Sequence, residues 1–145
     1  MDVEELSKTI IEFYEKLTTW EEEVVKDSGL TTAQNHAIEI VGHEGAIKMI
    51  QLAGKLGVTT GTLTVSVDRL EEKGLLRRVP HQSDRRSYLI ELTEKGQEVF
   101  ARHHKHHLNL TREIIADFSE QEQVDLYKAL KKMMKVFQER GDRGQ

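Results

Sequence analysis

The chain has 145 residues, no cysteine, one proline and 37% hydrophobic content, the size and composition of one compact domain. Its 21 basic and 25 acidic residues give a formal net charge of −4, which argues against indiscriminate nucleic-acid binding by overall charge but leaves room for a local basic patch. The lack of cysteine excludes disulfides, thiolate metal sites and cysteine nucleophiles, so any metal chemistry falls to histidine and carboxylate. No apolar run approaches the ~20 residues of a membrane span, and the acidic start is unlike a secretion signal, so a soluble, cytoplasmic protein with no membrane partner is expected.

From Val3, the apolar positions Leu6, Ile10, Phe13, Leu17, Trp20 and Val24 recur every three or four residues, predicting a helix of about six turns with one face to bury. Thr31 and Gln34 have capping-box spacing, so a second helix begins there and runs to about Gly42, with Gly45 as the break. Ala46, Ile47, Ile50, Leu52, Ala53 and Leu56 predict a short third helix that stops at Gly57, where a residue without Cβ permits a left-handed turn. Thr59 or Thr60 caps a fourth, which buries Leu63, Val67 and Leu70 and ends at Gly74. Short helix, glycine turn, longer helix is the spacing of a helix-turn-helix. Leu75 to Val79 and Tyr88 to Leu92 read as strands around a polar, basic tip from Pro80 to Ser87, which forms a wing. Thr93 starts a long fifth helix with Val99, Phe100, Leu110, Ile114, Ile115 and Phe118. Ser119 with Glu122 is the capping box of a sixth that carries Val124, Tyr127, Leu130, Met134 and Phe137.

The expected fold is mainly α: six helices with a β-hairpin wing, an α+β winged helix-turn-helix forming a single domain over residues 1–145. Residues 31–92 are the expected DNA-binding region, 1–30 and 93–140 the dimerisation helices, and 141–145 a flexible tail. A central unit of about 60 residues cannot cover apolar stripes as long as those of the end helices, so a twofold homodimer is expected.

Between Asp68 and Arg86 six cations face four acids, a local charge of +2 in an acidic chain. The fourth helix offers Thr59, Thr60, Thr62, Thr64, Ser66 and Arg69 on its polar side. Small hydroxyl side chains let a helix sit deep in the major groove, and arginine can address guanine bidentately. At the wing, His81, Arg85 and Arg86 suit the narrow, strongly negative minor groove. Asp84 has the wrong charge for DNA and is expected to hold a wing arginine through a carboxylate–guanidinium bond. Enzymatic signals fail: His43-Glu44 opens an H-E-x-x-H pattern but Ile47 occupies the second histidine position, and neither a P-loop nor G-x-S-x-G is present.

These residues resemble those of a known family. Leu52-Ala53, Leu56-Gly57-Val58, Val67, Leu70-Glu71-Glu72-Lys73-Gly74-Leu75, Asp84-Arg85-Arg86, Leu89 and Leu92-Thr93-Glu94-Lys95-Gly96 look like the recognition helix, wing and following helix of MarR-type regulators. The resemblance implies a dimer on a pseudo-palindromic double-stranded operator, with a ligand regulating it between the dimerisation and DNA-binding parts. It puts the fourth-helix residues at base-reading positions and Arg86 at the wing arginine.

His103, His104, His106 and His107 crowd the fifth helix; His103 and His107, four apart, project from its apolar face and can converge on a first-row metal. Alternatively, hydrogen-bonded neutral rings fill that face. Here the resemblance narrows to the zinc-sensing AdcR/ZitR branch. It implies zinc ligation by His36, His103 and His107 with a first-helix carboxylate, for which Glu21, Glu22 and Glu23 are the candidates and Glu21 is closest to the inner stripe. That branch's second metal site has no counterpart, since Asn35 and Arg102 stand where its carboxylates would be, so one zinc per protomer acting as co-repressor is expected. The rival expectation is a repressor released by a small aromatic ligand in a crevice lined by Phe13, Trp20, His36 and His103.

Overall fold

The structure is a computed structural model that describes residues 1–84 and 86–143. Its elements in order are α1 (Val3–Val25), α2 (Thr32–Glu44), β1 (Ile47–Lys48), α3 (Met49–Leu56), α4 (Thr60–Glu72), β2 (Leu76–Pro80), β3 (Tyr88–Leu92), α5 (Glu94–Ile114) and α6 (Glu120–Arg143). They form two compact units, residues 1–106 and residues from His107 onward, with the boundary inside α5. Among the described residues no helix is long and apolar enough to cross a membrane.

In the first unit α2 begins at the expected capping box: Thr31 Oγ1 accepts the Gln34 amide at 3.1 Å and Gln34 Oε1 accepts the Thr31 amide at 3.1 Å. The core is built from Ala37, Ile38 and Val41 of α2, Leu52 and Ala53 of α3, Leu63, Val67 and Leu70 of α4, and Leu76, Ile90 and Leu92 of the strands. Each fully buried aliphatic side chain contributes on the order of 2 kcal/mol, so this cluster fixes α4 and the wing to α2. Gly57, at φ +68°, makes the left-handed turn between α3 and α4 that a residue with Cβ would strain.

The structure differs from the sequence expectation at three places. Ala46 and Ile47 do not begin a helix: Ile47–Lys48 is a strand pairing antiparallel to β3, Ile47 opposite Ile90, so the wing belongs to a three-stranded sheet of order β1-β3-β2. Extended backbone after Gly45 carries Ile47 into the core, which a helix starting there would not do. The fifth helix stops at Ile114 rather than running through Phe118. A new N-terminus follows at once, where Glu122 accepts the Ser119 amide at 2.8 Å and Ser119 Oγ accepts the Glu122 amide at 3.2 Å. Finally, α6 continues to Arg143, so the expected tail is helical from Gly141 to Arg143; Gly144 and Gln145 lie outside the described residues.

Two glycines let the start of α5 approach its neighbours. A Cβ at Gly96 would stand 2.0 Å from the Leu75 carbonyl oxygen, and one at Gly42 of α2 would stand 2.2 Å from the Phe100 ring. Alanine would gain up to about 1 kcal/mol in helix propensity at either position, less than the roughly 1–3 kcal/mol cost of overpacking. Both Gly42→Ala and Gly96→Ala are therefore expected to lower stability in chemical denaturation, Gly96→Ala more, because main chain yields less readily than a ring. A stabilising Gly96→Ala would contradict the packing described.

Candidate nucleic-acid interface and histidine–carboxylate cluster

The N-terminus of α4 is set by Thr59, whose Oγ1 accepts the Thr62 amide at 3.2 Å and lies 3.0 Å from the Thr62 hydroxyl. Thr60, Thr62 and Arg69 are exposed on the helix as expected. Thr64 and Ser66 are half-buried, and the Thr64 hydroxyl donates to the Thr60 carbonyl at 2.7 Å, so their first task is within the helix. Sequence reading missed Val65, which is 54% exposed between Thr62 and Arg69. An apolar side chain on a polar helix face can pack against a thymine methyl.

Charge pairing reduces the basic surface that the sequence count suggested. Arg77 pairs with Glu91 at 2.5 Å. Arg78 reaches Asp68 at 2.6 Å and Glu71 at 3.0 Å, with its amide donating to Glu71 at 3.2 Å, and so ties β2 to α4. Its guanidinium is held above its usual value by the hydrogen bond to Asp68, with Glu71 and Asp68 charges adding to it against the cost of burial. Arg78 therefore positions the wing against the recognition helix. Arg69 and Arg86 are exposed, whereas His81 is half-buried and its Nδ1 accepts the Ser83 amide at 3.1 Å, serving the wing turn. Arg85 lies outside the described residues.

Of the wing arginines expected to pair with Asp84, Arg85 lies outside the described residues. Among the described residues the Asp84 carboxylate accepts the Arg86 amide at 3.0 Å and the Ser87 hydroxyl at 2.8 Å, and no guanidinium. A short acidic side chain two residues before an amide closes such a turn locally. The Arg86 amide, and after it the Ser87 hydroxyl, hold the Asp84 carboxyl below the usual aspartate range. With the folded-state value depressed, the turn's contribution is fully present above the ordinary aspartate range and is lost as pH falls through the lowered value. An NMR titration should place the Asp84 carboxyl midpoint below ordinary aspartate in the native chain and move it upward in Ser87→Ala; an unchanged midpoint would contradict the turn described.

On the other side of the first unit, α1, α2 and α5 bring histidines and carboxylates together. Glu21 of α1 and His103 of α5 are buried, at 7% and 6% exposure, with His103 Nε2 2.9 Å from Glu21 Oε1. His36 Nε2 stands 3.7 Å from the same oxygen and opens to the surface. Glu39 of α2 was not anticipated: its Oε1 lies 3.7 Å from His103 Nε2, is buried, and has no hydrogen-bond partner among the described residues. Its signal in the sequence is the i,i+4 pair with His43 on a helix already known to carry His36. His107 is half-buried, one turn beyond His103 on α5, and belongs to the second unit.

One imidazole nitrogen can satisfy one carboxylate oxygen at a time. Glu21 and Glu39 both face His103 Nε2, and a buried carboxylate oxygen without a hydrogen bond, as Glu39 Oε1 is among the described residues, is costly. The donor set is nitrogen and oxygen only, which suits zinc and neighbouring first-row divalent ions. The cluster therefore fits a cation.

The first unit also contains a crevice of about 510 Å³, with Val24, Leu30, Leu75 and Val99 on its apolar side and Arg102 and His106 among its polar groups. Of the four residues expected to line such a crevice only His103 does so; Phe13, Trp20 and His36 do not.

Comparison with known proteins places this geometry. Residues 30–88, the helix-turn-helix and most of the wing, match the MarR family model. The transcriptional regulator PecS of Dickeya dadantii is 41% identical over 81 residues, 56% of this chain and 49% of PecS. The regulator YfiV of Bacillus subtilis is 30% identical over 86 residues, 59% of this chain and 54% of YfiV. The chain thus spans about half the length of these curated relatives. Among solved structures, Streptococcus pneumoniae FabT in complex with DNA is similar with a TM-score of 0.85 and 26% identity, covering 95% of this chain and 99% of that one. A MarR family protein from Bacillus stearothermophilus gives a TM-score of 0.81 at 25% identity, with the same coverage. The fold is that of MarR winged-helix proteins, a family of DNA-binding regulators and not of enzymes.

Proposed function

We propose that this MarR-type winged-helix chain is a dimeric, cytoplasmic transcriptional repressor whose operator affinity is raised by one zinc ion per protomer, held by Glu21, His36 and His103. The observation that carries the zinc reading is the convergence of two carboxylates, the buried Glu21 and the half-buried Glu39 through its buried Oε1, on one ring nitrogen of His103. Zinc, when bound, supplies the positive charge this cluster lacks and a common centre for ligands from α1, α2 and α5. α2 shares its core residues Ala37, Ile38 and Val41 with Leu63 and Val67 of α4, so the bearing of the recognition helix depends on where α2 is held.

Thr60, Thr62, Val65 and Arg69 would meet the major groove, and Arg86 at the wing the minor groove. The similarity to FabT, solved in complex with DNA, supports DNA binding by this fold. Leu6, Ile10, Phe13 and Tyr14 of α1 are exposed, as are Val124, Tyr127, Met134 and Phe137 of α6. Apolar faces this long are what a second copy covers in a symmetric dimer.

A second reading rests on the crevice, whose size suits a small organic molecule and whose Arg102 and His106 suit an acidic one. Fluorescence anisotropy with a duplex selected from random sequence, in zinc or in chelator, separates the two. Zinc should tighten binding by the wild type roughly tenfold or more and leave His103→Ala nearly unresponsive. Arg86→Ala should bind more weakly in both conditions, with its salt dependence reduced by about one phosphate contact. An equal zinc response in wild type and His103→Ala would sink the zinc reading. Unchanged binding by Arg86→Ala would sink the placement of the wing.

A further inference from the structure

The first unit holds a second group of metal-ligating side chains, none of them among the three ligands of the proposed zinc site. Glu39 and His43 lie one turn apart on α2, and His104 faces them from α5. One ligand atom from each of the three lies within 4.8 Å of the others. Glu39 Oε2 is 3.1 Å from His43 Nε2. The His43 and His104 rings meet edge to face with centroids 4.9 Å apart, and His104 stacks on Phe100 at 5.4 Å and 11° between planes. Phe100 in turn packs edge to face on His43 at 5.1 Å and covers Gly42, so the ring that sets the α2–α5 approach also orients both imidazoles.

We infer that Glu39, His43 and His104 form a second divalent-cation site, which takes zinc or a neighbouring first-row ion and is separate from the Glu21, His36 and His103 cluster. Two imidazoles and one carboxylate are the donor set of three-ligand sites that keep a position for water. Ligand atoms bound to one zinc stand about 3.3 Å apart, given bonds of about 2.0–2.1 Å. The closure from 4.8 Å is within reach of His43, whose side chain is 53% exposed and free to change rotamer. Exposure also supplies the entry path. The carboxylate of Glu39 stands between the two clusters, with Oε2 toward His43 and Oε1 toward His103. Occupation of the second site would draw on the oxygen already paired with His43 and leave Oε1 facing the first, so filling one site should alter the affinity of the other. The competing account is an ordinary i,i+4 pair between Glu39 and an exposed histidine, with His104 held only by its stacking on Phe100.

Native mass spectrometry and calorimetry of the tag-free, full-length protein with zinc chloride test the inference against three variants. Wild type should take up two zinc ions per protomer. His43→Ala/His104→Gln should take up one fewer than wild type, and His36→Ala/His103→Ala should retain the site the first variant loses. Glu39→Gln, which keeps side-chain volume, should weaken that uptake by roughly tenfold or more, the scale of losing one ligand or its orienting partner. Circular dichroism and denaturation identify any variant that has failed to fold; for such a variant, zinc-induced shifts of the His43 and His104 ring resonances in the wild type replace it as the readout. Equal zinc uptake by wild type and His43→Ala/His104→Gln, or ring resonances that zinc leaves unmoved, would overturn the inference. The zinc-sensor reading fails independently, when His36→Ala/His103→Ala takes up as much zinc as the wild type while His43→Ala/His104→Gln takes up less.

Discussion

Two carboxylates converging on one buried imidazole are the constraint on which the rest of the first unit depends. Glu21 on α1 and Glu39 on α2 both address Nε2 of His103 on α5, at 2.9 and 3.7 Å. The ring can serve only one of them, and Glu39 Oε1 is the buried oxygen left over. Charges withdrawn from water demand compensation of several kcal/mol per ion. Three helices thus meet at a cluster whose donor set fits a cation.

The rest of the first unit transmits that constraint because it is closely packed. Gly96 lets α5 leave the sheet against the Leu75 carbonyl, and Gly42 lets Phe100 lie on α2. The aliphatic core beneath α2 then fixes α4, while Arg78 pins β2 to α4 through Asp68 and Glu71. Packed interiors transmit displacement instead of absorbing it. In this packing α4 is held through the same core as α2, so its orientation depends on where α2 sits.

Much of this was legible in the sequence, for identifiable reasons. The capping boxes at Thr31–Gln34 and Ser119–Glu122 and the left-handed turn at Gly57 are local, so short patterns specify them. The strand Ile47–Lys48 was not legible, because two residues carry no alternation and the pairing partner lies more than forty positions away at Leu89 and Ile90. The histidine run drew attention to His103, yet spacing along one helix cannot show which carboxylates face it. Glu39 became visible only when Gly42 and Phe100 brought α2 to α5. At Asp84 the sequence pointed to a wing guanidinium, whereas the Asx-type turn that binds its carboxylate to the Arg86 amide and Ser87 hydroxyl is visible only in the fold. Likewise Arg77 and Arg78 look like interface cations in a composition count and are spent on Glu91, Asp68 and Glu71 in the fold.

X-ray absorption at the zinc edge, on the full-length protein loaded with one equivalent of zinc, tests the central claim most directly. The account predicts a first shell of nitrogen and oxygen at about 2.0–2.1 Å, about four ligands in all, with the outer-shell signature of at least two imidazoles. A six-oxygen hydrated shell without imidazole scattering would contradict it. In that case Glu21, Glu39 and His103 would be a hydrogen-bonded structural cluster, and the search for an effector would move to the crevice beside Arg102.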